Sequence, residues 1–411
     1  MNDMVLSGER NIAFARDNMP VVDMVAIRLK LSGKLKGKRV VICSHVTKET
    51  AVAAIAMKNA GADVLVVASN PISTQDDVAE ALRQNYGMEV LGFAGESNDE
   101  FLEFKRQSLN FKPNLFIDDS AKLLPLIYDE RPDIIENLLG SIEQTTQGVS
   151  RAKVMDNNGL LKRPVIGTNS SVIKLMFENK YGVGQTALYS LFSLSGELVA
   201  GMTVVVVGYG GVGQGCAIRC AGAGAHVIVC ETDPVKALQA HYDGYTVMDM
   251  EDAAKVGEVF FTATGTMNAI PYKYVEMMRS GARLINVGSG QNEIQITELK
   301  NNAVKMEQRN DYETKYYLPD GRYVIMATDG RTANHVVVGG DPPTAMDLTF
   351  SALLLSAEYL IDNHEHLEPH VLTLPYEVDQ SIAYLKLNEL RLNVCKKTDE
   401  QIEYDKGWHS R

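Results

Sequence analysis

The sequence of 411 residues predicts an α/β protein with two doubly wound parallel-sheet domains closing on a shared cleft. Short β-rich runs alternate with helical stretches along most of the chain, which is the pattern of parallel sheets covered by helices. One glycine-rich turn sits in mid-chain between an apolar run and a helical one. No internal repeat or low-complexity linker separates the two halves, which favours domains that face each other. The length suffices for two or three separate cores.

In the first half, Arg39-Val-Val-Ile-Cys43, Asp63-Val-Leu-Val-Val67, Asn114-Leu-Phe-Ile-Asp118 and Pro164-Val-Ile-Gly167 read as strands. Helical stretches such as Glu49 to Ala60 and Thr74 to Tyr86 separate them. The loops after these strands carry His45-Val-Thr47, Ser69-Asn70, Asp118-Asp119 and Thr168-Asn169. Ligands of open α/β sheets bind beyond the carboxyl ends of the strands, so these loops are expected to meet in one crevice.

The strand Met202-Thr-Val-Val-Val-Val207 leads into Gly208-Tyr-Gly210-Gly-Val-Gly213-Gln-Gly215. Gly208 and Gly210 let the turn tighten and the backbone approach a pyrophosphate, and Gly213 lets the helix pack on its strand. Glu231 closes a second strand, His226-Val-Ile-Val-Cys230, where a carboxylate suits the ribose hydroxyls of NAD and repels the extra phosphate of NADP. Strand, glycines, helix and acid in register therefore predict a Rossmann unit that binds NAD. It continues through Glu258-Val-Phe-Phe-Thr-Ala-Thr264, Arg283-Leu-Ile-Asn-Val287 and Tyr323-Val-Ile-Met326. The apolar helical stretch from Thr344 to Glu358 reads as the chain crossing back to the first domain. The expected division is a substrate domain at 1–179 and 345–395, an NAD domain at 180–344 and a polar tail at 396–411.

A formal charge of −12 with pI near 5.2, and no compensating Lys/Arg cluster, argue against nucleic-acid or membrane partners. No leader is evident and no stretch approaches the length of an uncharged membrane span, so a cytoplasmic location is expected. Cys43, Cys216, Cys220, Cys230 and Cys395 read as reduced thiols, mostly in the core. Cys216 and Cys220 share a helix face but lack further zinc ligands, and His364-Glu-His366 reads as a solvated turn, so no metal is expected.

Taken alone, Lys174 and Glu178 at helical spacing read as a surface salt pair, Asp119 as a helix cap and His45 as a loop histidine. Together with their neighbours they carry a resemblance. Asn18-Met-Pro20, Ser44-His45-Val-Thr47-Lys-Glu49-Thr50, Ser69-Asn70-Pro-Ile-Ser73-Thr74-Gln75-Asp76, Asp118-Asp119, Glu143-Gln144-Thr145-Thr146, the run from Asn169 through Lys174, Glu178, Asn179 and Tyr181 to Gly182, Gly330-Arg331-Thr-Ala-Asn334 and Leu385 to Val394 follow in the order of the S-adenosylhomocysteine hydrolase family. The chain resembles that family nearly end to end.

The resemblance implies tightly held NAD, oxidation of a nucleoside 3'-hydroxyl, removal of the acidified 4'-hydrogen, loss of the 5'-substituent and addition of water. It implies that Lys174 takes the hydroxyl proton, positioned by Glu178, with Asn179 near the nicotinamide. Asp119 would be the base for the 4'-hydrogen, and His45 would serve the leaving group. Thr47, Glu49, Gln144, Ser289 and Asp341 would line the substrate, while Thr145, Thr146, Thr264 and Asn334 would join Gly208, Gly210, Gly213 and Glu231 at NAD. A homotetramer or homodimer is implied too.

The chain departs from the family's pattern around the substrate. Gln144 stands where a second glutamate is usual, Val183 for a cysteine, Ser289 for a histidine, Gln291 for an aspartate and Asp341 for a histidine. Ser120-Ala121-Lys122 replaces glycines and another aspartate. The expected function is therefore the same chemistry on a nucleoside other than S-adenosylhomocysteine. The alternatives are a hydrolase of S-adenosylhomocysteine or its inosyl analogue with a drifted pocket, and a non-catalytic NAD-binding homologue.

Overall fold

A computed structural model describes residues 3–289 and 292–408. Strands β1 (Arg39–Ser44), β2 (Asp63–Ala68), β3 (Glu89–Leu91), β4 (Leu115–Asp118), β5 (Gly140–Glu143) and β6 (Val165–Gly167) come first along the chain. Next are β7 (Thr203–Val207), β8 (His226–Cys230), β9 (Thr246–Val247), β10 (Val259–Thr262) and β11 (Ala282–Asn286). β12 (Lys305–Gln308), β13 (Glu313–Tyr317), β14 (Tyr323–Ala327) and β15 (Val371–Thr373) complete the set.

The first sheet has seven strands in the order β15-β6-β5-β4-β1-β2-β3, parallel throughout. The second has eight, β12-β13-β14-β11-β10-β7-β8-β9, and is parallel except at β13, which pairs antiparallel with β12 and β14. Strand order reverses between β1 and β4 in one sheet and between β7 and β10 in the other. Those two switch points are where such sheets leave a crevice beyond their carboxyl ends.

The apolar stretch expected from Thr344 to Glu358 is a longer helix, Pro343–Asn363. By length and composition it could cross a membrane, contrary to the sequence reading, but Leu348, Phe350, Leu353, Leu354 and Leu360 are buried in the core of the first sheet. Its Asp347 accepts the Val22 N–H at 2.9 Å and faces Lys386 at 3.2 Å, tying the helix to Pro20–Ser32 and Tyr376–Glu389. Cys43, Cys216, Cys220 and Cys230 are buried free thiols and Cys395 is exposed.

Candidate active site

The polar loops after β1, β2, β4 and β6 converge as expected. His45 and Thr47, Ser69 and Asn70, Asp119, and Asn169 line one cavity of about 380 Å³, a size suited to a small ligand. Val212, Ser289, Asn334 and Asp341 of the second unit form the opposing wall. Thr168 turns inward instead and donates to the Glu143 carbonyl at 2.9 Å. Gln291 lies outside the described residues.

Two adjacent carboxylates after β4 have separate tasks. Asp118, not Asp119, is the cap: it accepts the N–H groups of Lys122, Leu123 and Leu124 at 2.8–3.0 Å. Asp119 faces the cavity, accepting Ser69 Oγ at 2.8 Å and Ser120 Oγ at 2.9 Å, with His45 Nε2 3.3 Å away. Burial pushes the Asp119 pKa up, but the neighbouring His45, the Lys122 charge and the two serine hydroxyls outweigh it and leave the carboxylate below its ordinary range. His45 goes the other way: burial, and then the facing His335, lower it to about 3. The direction we rely on for the pair is a neutral imidazole beside an ionised carboxylate, because Lys122 and the hydroxyls favour that carboxylate whatever the state of His45. The two histidine rings stack 4.1 Å apart, 3° from parallel, and His45 Nδ1 shares a hydrogen bond of 2.5 Å with Ser73 Oγ.

Lys174 and Glu178 do not form a surface pair. They lie in a π-helix, Lys174–Gly182, with side chains only 5% and 14% exposed. The wider π turn bonds residue i to i+5, as the Val183 N–H does to the Glu178 carbonyl, and brings i+4 and i+5 together before residue i. Lys174 Nζ thus donates both to Glu178 Oε1 at 2.7 Å and to Asn179 Oδ1 at 3.1 Å. An ammonium has three donors, so one remains for a ligand oxygen. Among the described residues, Glu178 Oε2 is buried without a hydrogen-bond partner.

Ser120 and Ala121, where the resemblance places glycines, adopt left-handed φ of 69° and 49°. Their N–H groups donate to Glu143 at 3.0 and 2.8 Å, and Thr145 donates to the same carboxylate through its N–H and its hydroxyl. Burial and the nearby Asp118 push Glu143 well above the usual carboxylate range. Gln144 lines the cavity but commits its amide to Ser44 Oγ at 3.1 Å. Thr145 caps the helix Thr146–Asn157 through the Gly148 N–H, and Thr146 Oγ1 accepts Asn169 Nδ2 at 2.7 Å.

The glycine-rich turn has the space its reading requires. Gly208 has φ of 95°, and a Cβ there would lie 2.9 Å from both the Ala263 carbonyl oxygen and Thr264 Cγ2. A Cβ on Gly213 would fall 1.9 Å from the Gly208 oxygen, whereas nothing lies within 4 Å of one on Gly210. The protein therefore packs against the first and third glycines and leaves the second facing open space. Glu231 is more committed than expected: Oε2 accepts the Tyr209 N–H at 2.6 Å and Oε1 those of Thr232 and Asp233 at 2.6 and 2.9 Å. Its remaining lone pairs are what it can offer a ribose. Thr264 donates its N–H and hydroxyl to Glu293, each at 2.8 Å. These groups fit a dinucleotide, and the turn abuts the π-helix, since a Cβ on Gly211 would lie 3.1 Å from Asn179 Cβ.

On the opposing wall Asp341 accepts Thr186 Oγ1 at 2.9 Å and Asn334 Nδ2 at 3.2 Å, and burial raises its pKa. Among the described residues, Asn334 Oδ1 and His335 Nδ1 are buried without hydrogen-bond partners, two polar atoms at the cavity wall. Glu49 is buried and paired with Lys48 at 2.9 Å, while Ser289 is an exposed edge of the wall. Sequence reasoning missed His335, although it directly follows Asn334, because nothing local shows that it stacks on a histidine 290 positions earlier. His364 fits the turn reading, its Nδ1 lying 3.1 Å from the Ile361 carbonyl, and no cluster of metal ligands occurs among the described residues.

Residues 2–131 match the family described as S-adenosyl-L-homocysteine hydrolase, and residues 179–339 match S-adenosyl-L-homocysteine hydrolase, NAD binding domain. The chain is 40% identical to the adenosylhomocysteinase of Pyrococcus abyssi over 401 residues, 98% of this chain and 95% of that one. It is 39% identical to the S-inosyl-L-homocysteine hydrolase of Methanocaldococcus jannaschii over 98% of this chain and 96% of that one. Among solved structures, a dipicolinate synthase of Bacillus halodurans is similar with a TM-score of 0.48 and 14% identity, covering 80% of this chain and 99% of that one.

Proposed function

The chain belongs to the S-adenosyl-L-homocysteine hydrolase family of NAD-dependent enzymes, and on that premise we propose that it eliminates the 5'-substituent of a nucleoside other than S-adenosylhomocysteine. One observation carries this reading. Lys174, Glu178, Asn179, Asp119 and His45 surround one cavity, while Gln144, Asp341 and Lys122 give its walls a different chemistry.

Gly208, Gly210 and Gly213 would hold the pyrophosphate of NAD, Glu231 a ribose, and Thr264, Thr145, Thr146 and Asn334 the remainder. NAD bound there supplies reversible oxidation of a secondary alcohol, which makes the neighbouring C–H acidic. Lys174 acts as the neutral amine: its two N–H groups stay on Glu178 Oε1 and Asn179 Oδ1, and its lone pair receives the proton of the substrate 3'-hydroxyl. Asp119, kept ionised, receives the 4'-proton. Asp119, once it carries that proton, lies 3.3 Å from the neutral His45 Nε2, which accepts it and hands it to the departing 5'-group. Thr47, Glu49 and Ser289 complete the substrate contacts. The substrate domain spans 1–179 and 345–395, the NAD domain 180–344 and the tail 396–411, and the assembly is a homotetramer or homodimer.

A second reading, hydrolysis of S-adenosylhomocysteine or S-inosylhomocysteine, is favoured by the near-equal identity to relatives with each name. Single-turnover absorbance of reduced nicotinamide tests the shared chemistry. Lys174→Met should slow its formation at least about 100-fold, the lower range for a general acid–base group. Unchanged formation would remove Lys174 from the mechanism.

A further inference from the structure

One end of the cavity carries two cationic side chains that transfer no proton in the mechanism. Lys122 lines it beside Asp119. Its backbone N–H is taken by Asp118, but its ammonium makes no hydrogen bond or ion pair among the described residues. Arg151 lines the same end and donates Nη1 to the Ser120 carbonyl at 2.8 Å, again with no carboxylate in ion-pair range among the described residues. One loop, 120–122, thus carries Lys122 and anchors Arg151. Two of the nearby buried carboxylates are satisfied by other donors, Asp118 by three backbone N–H groups and Glu143 by four donors, and Lys122 acts on Asp119 through its charge without a hydrogen bond among the described residues. Asn70, Asn98 and Gln147 add neutral hydrogen-bonding groups to the wall. The Lys122 charge is felt at both Asp119 and His45, so this end adjoins the groups that would act on the 4'-hydrogen and the leaving group.

We propose that Lys122 and Arg151 form an anion-recognition subsite, and that the substrate arm seated there carries an oxyanion, either a carboxylate or a phosphate. The assignment to the 5'-arm rests on the nucleoside reading above. A lysine at position 122 favours an anionic arm over a cationic one. Two cations without carboxylate partners can offer an oxyanion charge-assisted hydrogen bonds, with the planar guanidinium suited to bidentate contact.

Calorimetric titration of the NAD-loaded protein tests this with adenosine, 5'-amino-5'-deoxyadenosine, adenosine 5'-carboxylate and adenosine 5'-monophosphate. Inorganic phosphate, followed by phosphorus line broadening, serves as a probe independent of the nucleoside. The anionic nucleosides should bind at least about ten-fold more tightly than adenosine, as a charge-assisted contact implies, and the amine more weakly. The tighter of the carboxylate and the phosphate identifies the source of the oxyanion. Lys122→Gln and Arg151→Gln should each reduce the preference, Lys122→Arg should restore it, and an unchanged melting point for Lys122→Gln excludes a folding defect. Equal affinity for all four nucleosides overturns the subsite and leaves the nucleoside reading intact. If no nucleoside binds but phosphate does so through Lys122, the subsite stands and the nucleoside reading fails. Lys122-independent phosphate binding, or none, together with no anion preference, overturns the subsite.

Discussion

At the scale of single residues, environment decides what each group can do. His45 is held at about 3, first by burial and then by His335, against an ordinary 6.5. The unfolded chain takes up a proton there that the folded chain refuses. Stability from this source is fully present above 6.5 and is lost as pH falls toward about 3. The slope approaches about 1.4 kcal/mol per pH unit for one proton. Denaturant unfolding at a series of pH values should show it, and His45→Gln should flatten that part of the curve; an identical slope in the variant would contradict a neutral His45. Ala121 offers a second test. Its φ of 49° carries strain that costs a non-glycine residue about 1 kcal/mol or more. Ala121→Gly should raise stability by about 0.5–1 kcal/mol after the extra chain entropy of glycine, and a lower melting point would show that the loop is not strained.

Among elements, the glycine-rich turn was legible because each glycine answers a local steric need. Gly210→Ala should leave the cofactor-free protein within about 0.5 kcal/mol of wild type, because its Cβ meets nothing, while weakening the rise in melting point that NAD confers. Gly213→Ala should cost about 1–3 kcal/mol with or without NAD, since its Cβ would press on the Gly208 oxygen. Equal behaviour of the two variants would contradict the division of roles. Other elements left no such trace. β5 reads Gly-Ser-Ile-Glu, with Ser141 buried and Glu143 buried as the acceptor of four donors, so it lacks the apolar run that marked β1 and β7. β12 and β13 form a largely polar antiparallel hairpin on the edge of the second sheet, outside the pattern expected of buried parallel strands. The π-helix was read as an ordinary helix because i to i+4 spacing suits both. What separates them is the contact of Lys174 with Asn179 as well as Glu178.

Across the whole molecule, the two sheets and the convergence of the loops after β1, β2, β4 and β6 followed from strand–helix alternation and the position of polar loops. The facing wall did not. His335 meets His45, and Gln75 Nε2 meets the Gly339 carbonyl at 3.3 Å, only because the two units fold against each other. Asp341 belongs to that same facing wall, whereas Lys122 and Gln144 lie on the side of the proton-handling groups, Gln144 bonded to Ser44 beside His45. Mass spectrometry of NAD-loaded protein in heavy-oxygen water, with S-adenosylhomocysteine, S-inosylhomocysteine and a panel of other 5'-substituted nucleosides, tests the proposed substrate most directly. Reduced-nicotinamide absorbance is followed alongside. The expected result is transient reduction and loss of the 5'-group from a nucleoside outside the two homocysteine conjugates, with little turnover of either conjugate. Efficient cleavage of S-adenosylhomocysteine with heavy oxygen entering adenosine would contradict it.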